Sequence, residues 1–250
     1  LQTPVFLMSD LDIGMNQRLC APFEWDDERR YDRGKVITAE MLDAGREFAR
    51  YKDVDGDGIP WRTIPGVHPS KGAYFTRGST RNAYAQYSEA GPDYVYNVER
   101  LQKKFATAAT LVPAPVVRKA DAPTPFGVMY YGSTAPAMHE ALEVLAHDGV
   151  TLDAMRLRAF PFPAEVRAFI EGHERIFLVE QNRDAQMRSL LVNELGIDPA
   201  RLVPVLHFDV TPITARFITP RIAAQVEAAA AAKAAGGRRS AASGVTGEPA

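Results

Sequence analysis

The chain has 250 residues, 46% of them hydrophobic and 24% charged, which is enough for one large domain or two modest ones with buried cores. The formal net charge of −2 gives no electrostatic reason to expect nucleic acid or an anionic membrane as a partner. The single cysteine, Cys20, excludes an internal disulfide and a four-thiolate metal site built from this chain alone. The lack of disulfides is typical of a reducing setting, so we expect a cytoplasmic protein.

The first residues predict a buried strand. Val5-Phe6-Leu7-Met8 is a short apolar run that is closed by Ser9-Asp10. It has no basic region before it and is much shorter than the roughly 18 apolar residues of a membrane span. Because the chain opens on Leu1 and a lone strand needs neighbours, we expect residues 1–15 to complete a sheet formed elsewhere, as part of a longer protein.

Residues 16–119 form a polar, irregular region with two predicted helices. Residues 38–50 can form an amphipathic helix capped by Thr38, and the stretch 51–91 shows no helical pattern although its aromatic residues argue against disorder. A second helix is predicted over residues 92–110. Its apolar face is expected to consist of Pro92, Tyr94, Val98, Leu101 and Phe105.

Residues 120–225 predict a regular α/β domain, preceded by a proline-rich linker over residues 112–125. Apolar strands alternate with amphipathic helices, which is typical of a parallel sheet covered on both faces. The predicted strands are 126–131, one around 154–160, 175–179 and 201–208. The predicted helices are one that follows Gly132-Ser133-Thr134 and stops at His147-Asp148-Gly149, a short one from Pro163, one over 184–195 and one beginning near Pro212. Residues 226–250 are rich in alanine and glycine, and we expect a disordered tail in which only the alanines form two turns of helix.

Two patterns resemble metal sites without meeting their requirements. Asp53-Val-Asp-Gly-Asp-Gly58 looks like the first half of a calcium loop, but Ile64 stands where the bidentate glutamate is needed, so a surface turn is the better interpretation. The five histidines show no metal-binding spacing. The chain also lacks a Gly-x-Ser-x-Gly elbow, a P-loop and a Gly-x-Gly-x-x-Gly motif.

Two polar groups follow predicted strands at the carboxyl edge of the sheet. Gly132-Ser133-Thr134 opens a helix and is either an anion site or, by preference, a simple N-cap. Glu180-Gln181-Asn182, with Asp184 and Gln186, follows the clearest strand and is either a ligand or partner site or a cap of the next helix through Asn182.

Residues 59–89 hold the richest set of candidate binding groups. Arg62, Lys71, Arg77 and Arg81 alternate with aromatic residues and glycines. Guanidinium groups bind carboxylates through paired hydrogen bonds, so this composition suits a small organic acid. An arginine-rich interface loop remains the alternative, whereas the near-neutral chain disfavours single-stranded nucleic acid.

Several of these motifs, in order, resemble one family. The motifs are Ser9-Asp-Leu-Asp-Ile-Gly-Met-Asn16, Pro60-Trp-Arg-Thr-Ile-Pro-Gly66, Lys71-Gly-Ala-Tyr-Phe-Thr-Arg-Gly78, Val179-Glu-Gln-Asn182, Ala185-Gln-Met-Arg188 and Pro212-Ile-Thr-Ala215. They are similar to the α subunit of 2-oxoacid:ferredoxin oxidoreductases, and most similar to the 2-oxoglutarate type. The resemblance extends to about residue 222.

The resemblance implies a subunit of a larger enzyme. In the family, thiamine diphosphate decarboxylates the 2-oxoacid, coenzyme A accepts the acyl group, and electrons pass through a [4Fe-4S] cluster to ferredoxin. Thiamine diphosphate, Mg²⁺ and the cluster would be held mostly by the partner β subunit, and none by this chain alone. Residues 1–15 would end a pyrimidine-binding domain and residues 120–225 would be a transketolase C-terminal-like domain. This fragment is therefore expected to be inactive alone.

By position in the family motifs, Arg62 is the candidate for binding the substrate carboxylate, with Thr76 and Arg77 in support. The chain departs from the family at Ser79-Thr-Arg-Asn82, where many members have Gly-His, and at Asp209-Val210, where Asp-Gly is common, so the second turn is expected to be reshaped. Two alternatives stay open: a subunit for pyruvate or another 2-oxoacid, and a non-catalytic α/β module that binds partners or nucleotides at the edge near Gly132 and Glu180.

Overall fold

The computed structural model describes residues 1–17 and 19–243, with side chains as far as residue 232. The described chain divides into two compact units. The first, called the loop unit here, consists of Leu1–Leu7 and residues 19–112. The second, called the sheet unit, consists of Met8–Gln17 and the residues from Pro113 onward.

The sheet unit is built on five strands in the spatial order β1-β3-β2-β4-β5. Strands β2 to β5 are parallel, and β1 pairs with β3 in the antiparallel direction. The strands are β1 Val116–Arg118, β2 Phe126–Tyr131, β3 Asp153–Leu157, β4 Arg175–Glu180 and β5 Leu202–Leu206. The helices of this unit are α1 Leu11–Met15, α4 Thr134–His147, α5 Ala164–Glu171, α6 Gln186–Leu195 and α7 Ala215–Ser243, with a short 3-10 helix over Pro199–Arg201.

Both faces of this sheet are covered by helices, as the continuous apolar strands predict. Successive residues of β4 alternate between the two sides: Phe177 packs with α4 and α7, and Leu178 packs with α5 and α6. Four α4 residues predicted to face the core, Met138, Ala141, Leu142 and Leu145, are all buried. The predicted α/β fold class, with a mostly parallel sheet, is confirmed.

Both edge strands of the sheet have features that limit pairing with a further strand. Strand β1 lies in the segment predicted as a proline-rich linker. It is only three residues long, and three residues are too few to show an alternating apolar pattern in the sequence. Strand β5 forms the other edge and contains Pro204, which has no N–H to donate.

The loop unit contains two helices joined by long loops, α2 Ala39–Asp43 and α3 Gly91–Leu111. Thr38 caps α2 by accepting a hydrogen bond from the N–H of Met41, as predicted. The helix ends at Asp43 and does not continue to residue 50, because Gly45 turns the chain at a φ of 86°. Helix α3 has the predicted extent.

The predicted apolar face of α3 is wrong. Tyr94 and Phe105 are 56% and 52% exposed, whereas the buried residues of the helix are Arg100, Lys104 and Ala108. The reason is a close approach of backbone to backbone: Gly58, at a φ of 75°, lies so near that an added Cβ would come within 2.3 Å of the Lys104 nitrogen. Amphipathicity predicts a helix and its two faces, but the loop that packs on it decides which face is covered.

The strand predicted for Val5–Met8 is absent from the structure. All four side chains are more than 80% exposed, and no described strand lies beside them to supply the hydrogen bonds that a strand requires. The segment predicted as a disordered tail also differs, because α7 continues to Ser243, consistent with the high helix propensity of its alanines. Residues 244–250 of that segment lie outside the described residues.

Within the part of the chain that the structure describes, we find no helix long and apolar enough to cross a membrane.

Candidate functional site

Arg62 is anchored through its backbone in a short parallel bridge of the loop unit. Its carbonyl accepts a hydrogen bond from Ile37 N–H at 2.8 Å, and its N–H donates to the carbonyl of Lys35 at 3.0 Å. The guanidinium donates through Nη2 to the carbonyl of Arg33 at 3.0 Å, but its buried Nε has no hydrogen-bond partner. The side chain is therefore held at one end and retains an unused donor.

The other two predicted substrate residues lie further along the same loop. The hydroxyl of Thr76 is buried and has no hydrogen-bond partner, like Nε of Arg62. Arg77 is exposed, with its guanidinium carbon 5.9 Å from the centre of the Tyr87 ring. Among the contacts of the described residues, none joins Arg62, Thr76 and Arg77 to one another, so their joint role stays a prediction.

A cleft of about 230 Å³ runs along residues 63–74 of the loop unit. Its cation, Lys71, is already paired: Nζ lies 2.9 Å from Oδ1 of Asp43, which also contacts Nε2 of His68 at 3.1 Å. The hydrogen bonds from Lys71 and His68 hold the pKa of Asp43 below its usual value. Lys71 therefore anchors the loop to the end of α2 and is not a free binding group.

The acidic turn Asp53–Gly58 uses its carboxylates within the protein. Lys35 Nζ lies 2.6 Å from a carboxylate oxygen of Asp55 and 2.7 Å from one of Asp57. Trp61 donates from Nε1 to Asp55 at 2.9 Å, and Ile59 N–H donates to Asp57 at 2.9 Å. The carboxylates of the turn therefore form hydrogen bonds and ion pairs that hold neighbouring parts of the loop unit together. Among the described residues, no group of three potential metal ligands occurs.

At the carboxyl edge of the sheet, Glu180 is fully buried and caps α6. Its two carboxylate oxygens accept hydrogen bonds from Met187 N–H at 2.8 Å and Arg188 N–H at 3.1 Å. Asn182 donates a hydrogen bond to Glu180 at 2.8 Å and, as predicted, accepts one from the start of the helix, at Gln186 N–H. The helix begins at Gln186 and not at residue 184, so the N-cap position itself is Ala185. Glu180 thus satisfies backbone donors that the start of a helix leaves free.

Tyr131 completes this buried group. Burial, together with the adjacent Glu180 carboxylate, raises the pKa of Tyr131 to about 12. Asn182 and Glu180 each lie 3.4 Å from its hydroxyl. Because the polar atoms of the edge bind one another, the structure favours the cap over a ligand site here.

The turn Gly132-Ser133-Thr134 is occupied by side chains of the sheet unit itself. Ser133 hydrogen-bonds the carboxylate of Asp10, and Gln181 donates to the hydroxyls of Ser133 at 2.9 Å and Thr134 at 3.2 Å. The Ser133 hydroxyl, followed by Ile13 N–H, lowers the pKa of Asp10. Sequence reasoning missed this pairing, since 123 residues separate Asp10 from Ser133 and no local pattern connects them.

The turn expected to be reshaped at Asp209-Val210 keeps a glycine-like backbone. Val210 has a φ of 73°, in the left-handed region that a β-branched residue rarely adopts, and its side chain is fully exposed. Asp209 stabilises the turn by accepting hydrogen bonds from the N–H and the hydroxyl of Thr211.

Comparison with known proteins points to one enzyme family, although no family model matches the chain. The chain is 25% identical over 228 residues to the α subunit of 2-oxoacid:ferredoxin oxidoreductase 2 from Aeropyrum pernix. The matched region covers 87% of this chain but only 34% of the relative, so the chain spans about a third of that protein's length.

A solved structure shares the fold. The 2-oxoglutarate:ferredoxin oxidoreductase from Magnetococcus marinus, with 2-oxoglutarate, coenzyme A and succinyl-CoA bound, matches with a TM-score of 0.65 at 19% identity. The match covers 74% of this chain and 32% of that one. The chain is thus similar to 2-oxoacid:ferredoxin oxidoreductase α subunits, and its mixed α/β fold agrees with that similarity.

Proposed function

We propose that this chain is part of the α subunit of a 2-oxoglutarate:ferredoxin oxidoreductase, a cytoplasmic enzyme that works with a β subunit. The proposed reaction converts 2-oxoglutarate and coenzyme A to an acyl-CoA and CO₂, and transfers the electrons to ferredoxin. The observation that carries this proposal is the similarity to an α subunit over 87% of the chain, through both units. The Magnetococcus enzyme, which holds 2-oxoglutarate, supports the choice of substrate.

The residues of this chain do not fit a [4Fe-4S] cluster, because four thiolates are required and the chain has one cysteine. Thiamine diphosphate would supply the decarboxylation chemistry in the assembled enzyme, together with Mg²⁺ and a [4Fe-4S] cluster. The described residues contain no group of three metal ligands, and the chain has one cysteine, which is exposed. We propose that these groups are held mostly by the partner β subunit and that the present chain is inactive alone.

Substrate binding is the role we propose for the loop unit. Arg62 and Thr76 each keep one buried polar atom without a partner, and a carboxylate would satisfy both kinds of donor. The carboxyl edge of the sheet, by contrast, has its polar atoms paired internally. This contrast favours a substrate-binding loop over the alternative of a non-catalytic module that binds at Glu180.

The test is an assay of the assembled enzyme. The β subunit and the complete α subunit are purified together, and 2-oxoglutarate- and CoA-dependent dye reduction is compared with the rate on pyruvate. Turnover selective for 2-oxoglutarate supports the proposal. Equal turnover with pyruvate contradicts the choice of substrate, and no turnover with any 2-oxoacid contradicts the enzyme assignment.

Arg62→Ala should raise KM for the oxoacid about tenfold or more, because a charge-assisted hydrogen bond contributes roughly 1.5–3 kcal/mol. Arg30→Ala is the matched control, since Arg30 lies in the same unit and its side chain is 77% exposed. Thermal melts of both variants show whether the Arg62→Ala chain is still folded after losing the hydrogen bond to the Arg33 carbonyl, so that a loss of substrate binding can be separated from a loss of stability. An unchanged KM in a folded Arg62→Ala enzyme would remove Arg62 from the substrate site.

A further inference from the structure

Three arginines of the loop unit surround a single tyrosine. The guanidinium carbons of Arg50, Arg81 and Arg100 lie 5.1, 5.3 and 5.8 Å from the centre of the Tyr51 ring. Arg50 and Tyr51 follow α2, Arg81 belongs to the loop before α3, and Arg100 lies on α3. The fold therefore gathers positive charge from three separate segments around one aromatic ring.

Each of these arginines keeps a buried N–H without a partner. The Nε atoms of Arg50, Arg81 and Arg100 are inaccessible to solvent and make no hydrogen bond. Arg100 is only 7% exposed and is oriented by a hydrogen bond from Nη1 to the carbonyl of Gly58 at 3.0 Å. Arg81 is held by a hydrogen bond from Nη2 to the carbonyl of Gly78 at 2.9 Å. Backbone carbonyls thus position the guanidinium groups of Arg81 and Arg100, while the Nε atoms of all three arginines have no partner.

A fourth cation adds to this charge. Lys104 is 7% exposed, lies one helical turn beyond Arg100 on α3, and donates to the carbonyl of Gln2 at 3.0 Å. Burial, and then the charges of Arg100 and Arg50, lower the pKa of Lys104. Asp53 is the carboxylate that acts on Arg100, and its Oδ1 is engaged by the N–H of Gly56. Among the described residues, no carboxylate forms an ion pair with any member of this group.

Buried cations without a counter-ion destabilise a folded protein, because the desolvation of each charge is not offset by a partner. An oxyanion at the half-buried guanidinium groups of Arg50 and Arg81 would accept hydrogen bonds from their accessible N–H groups and offset the repulsion. We infer that Arg50, Arg81 and Arg100, with Lys104 nearby, form a binding site for a small oxyanion, either a carboxylate or a phosphate group.

Access to this site is through its two outer members. Arg50 and Arg81 are half-buried, whereas Arg100 and Lys104 form the buried floor. The half-buried ring of Tyr51 contacts all three guanidinium groups and contributes cation–π interactions to the cluster. This inference does not depend on the proposed function, since it concerns binding to the chain and not turnover.

The test is a thermal melt of the full chain at constant ionic strength, with sodium chloride exchanged stepwise for sodium phosphate or sodium succinate. Intrinsic fluorescence reports the loop unit directly, because both tryptophans, Trp25 and Trp61, belong to it. We expect a saturable rise of Tm with an oxyanion over chloride. A larger rise with phosphate assigns a phosphate group to the site, and a larger rise with succinate assigns a carboxylate.

Variants distinguish binding from a general salt effect. Arg50→Gln and Arg81→Gln should each weaken the apparent Kd about tenfold or more, because each removes one charge-assisted donor. In chloride alone, each variant should have a Tm no lower than that of the parent chain, because removing one arginine relieves the repulsion between the clustered cations. Arg46→Gln is the matched control: Arg46 is also stacked on an aromatic ring, 3.9 Å from the centre of Trp61, but lies outside the site.

The inference is overturned if Tm is the same in chloride, phosphate and succinate, or if both cluster variants keep the full rise. It is also overturned if Arg46→Gln loses the rise as they do. Isothermal titration of the parent chain with the more effective anion gives a result that does not depend on any variant folding. Saturable one-site binding supports the site, and the absence of binding heat at several temperatures contradicts it.

Discussion

The two units of this chain are stabilised by different means. The sheet unit buries apolar residues such as Phe177 and Leu178 on both faces of its strands and pairs the polar atoms at its carboxyl edge. The loop unit buries cations such as Arg100 and exposes apolar residues such as Phe105. Both large clusters of buried apolar residues lie in the sheet unit, whereas the loop unit holds Arg62, Thr76 and the arginines around Tyr51, which have polar atoms without a partner. Functional sites commonly lie where local rules of stability are broken.

The largest expected effect is on the loop unit, from Gly58→Ala. The new Cβ would meet the backbone of Lys104 and Arg100 at 2.3 and 2.5 Å, and backbone cannot move aside as a side chain can. We expect a loss of about 4 kcal/mol or more in the free energy of unfolding, measured by urea titration with tryptophan fluorescence. Gly56→Ala is the control, with a similar φ of 78° but no atom within 4 Å, and should cost about 1 kcal/mol. Equal losses would show that the close packing on α3 contributes little.

In the sheet unit, Glu180→Ala removes the buried cap of α6. The N–H groups of Met187 and Arg188 would then lack a partner, and we expect a loss of about 3 kcal/mol, measured by circular dichroism during urea unfolding. Glu194→Ala, at an exposed position of the same helix, should change stability by no more than about 0.5 kcal/mol. If the Glu180→Ala chain is as stable as the parent, the cap is not the role of Glu180, and a ligand-binding role becomes the better explanation.

Asp153 makes the stability of the sheet unit depend on acid. Burial opposes its ionisation, but hydrogen bonds from Ala120 N–H, Lys119 and His173 outweigh burial and lower the pKa of Asp153 below 3.8. A lowered pKa in the folded state means that the stabilisation is complete above about pH 4 and is lost as pH falls through the folded pKa. Asp153→Asn should therefore cost about 1–2 kcal/mol at pH 7 and progressively less below pH 4, by denaturant titration across pH. A constant difference at all pH values would contradict this origin.

The smallest expected effect is a gain. Val210→Gly places the residue that tolerates a φ of 73° at an exposed turn, and relief of the strain outweighs the extra flexibility of the unfolded chain. We expect about 0.5 kcal/mol of added stability, seen as a higher Tm in calorimetry. A lower Tm would indicate that the turn relaxes with valine in solution.

The sequence was a good guide wherever a local period decided the structure. Strand β4 could be predicted because it is a continuous apolar run, and helix α4 because its buried side chains recur every three to four residues. The same reasoning was wrong about α3, since Phe105 and Arg100 lie on faces whose burial is decided by Gly58, which is 42 residues away from Arg100. Amphipathicity cannot indicate a partner that approaches through its backbone.

The candidate sites show the same limit. Asn182 was recognised as a cap because a cap is a local motif, but the pairing of Asp10 with Ser133 required the folded chain. The group around Tyr51 carried one local signal that was missed: Arg100 and Lys104 are like charges spaced i, i+4, an arrangement that destabilises a helix. Such a pair on a buried face is the sequence signal for the oxyanion site that we propose here.

The short edge strand β1 and the proline in edge strand β5 affect how readily the sheet unit can aggregate or swap strands. A sheet grows into fibrils or exchanges strands between molecules when a long edge strand presents free N–H and C=O groups. Here one edge is a three-residue strand running against its neighbours, and the other contains Pro204. Both devices discourage a further strand from pairing, so copies of the sheet unit should resist amyloid-like assembly.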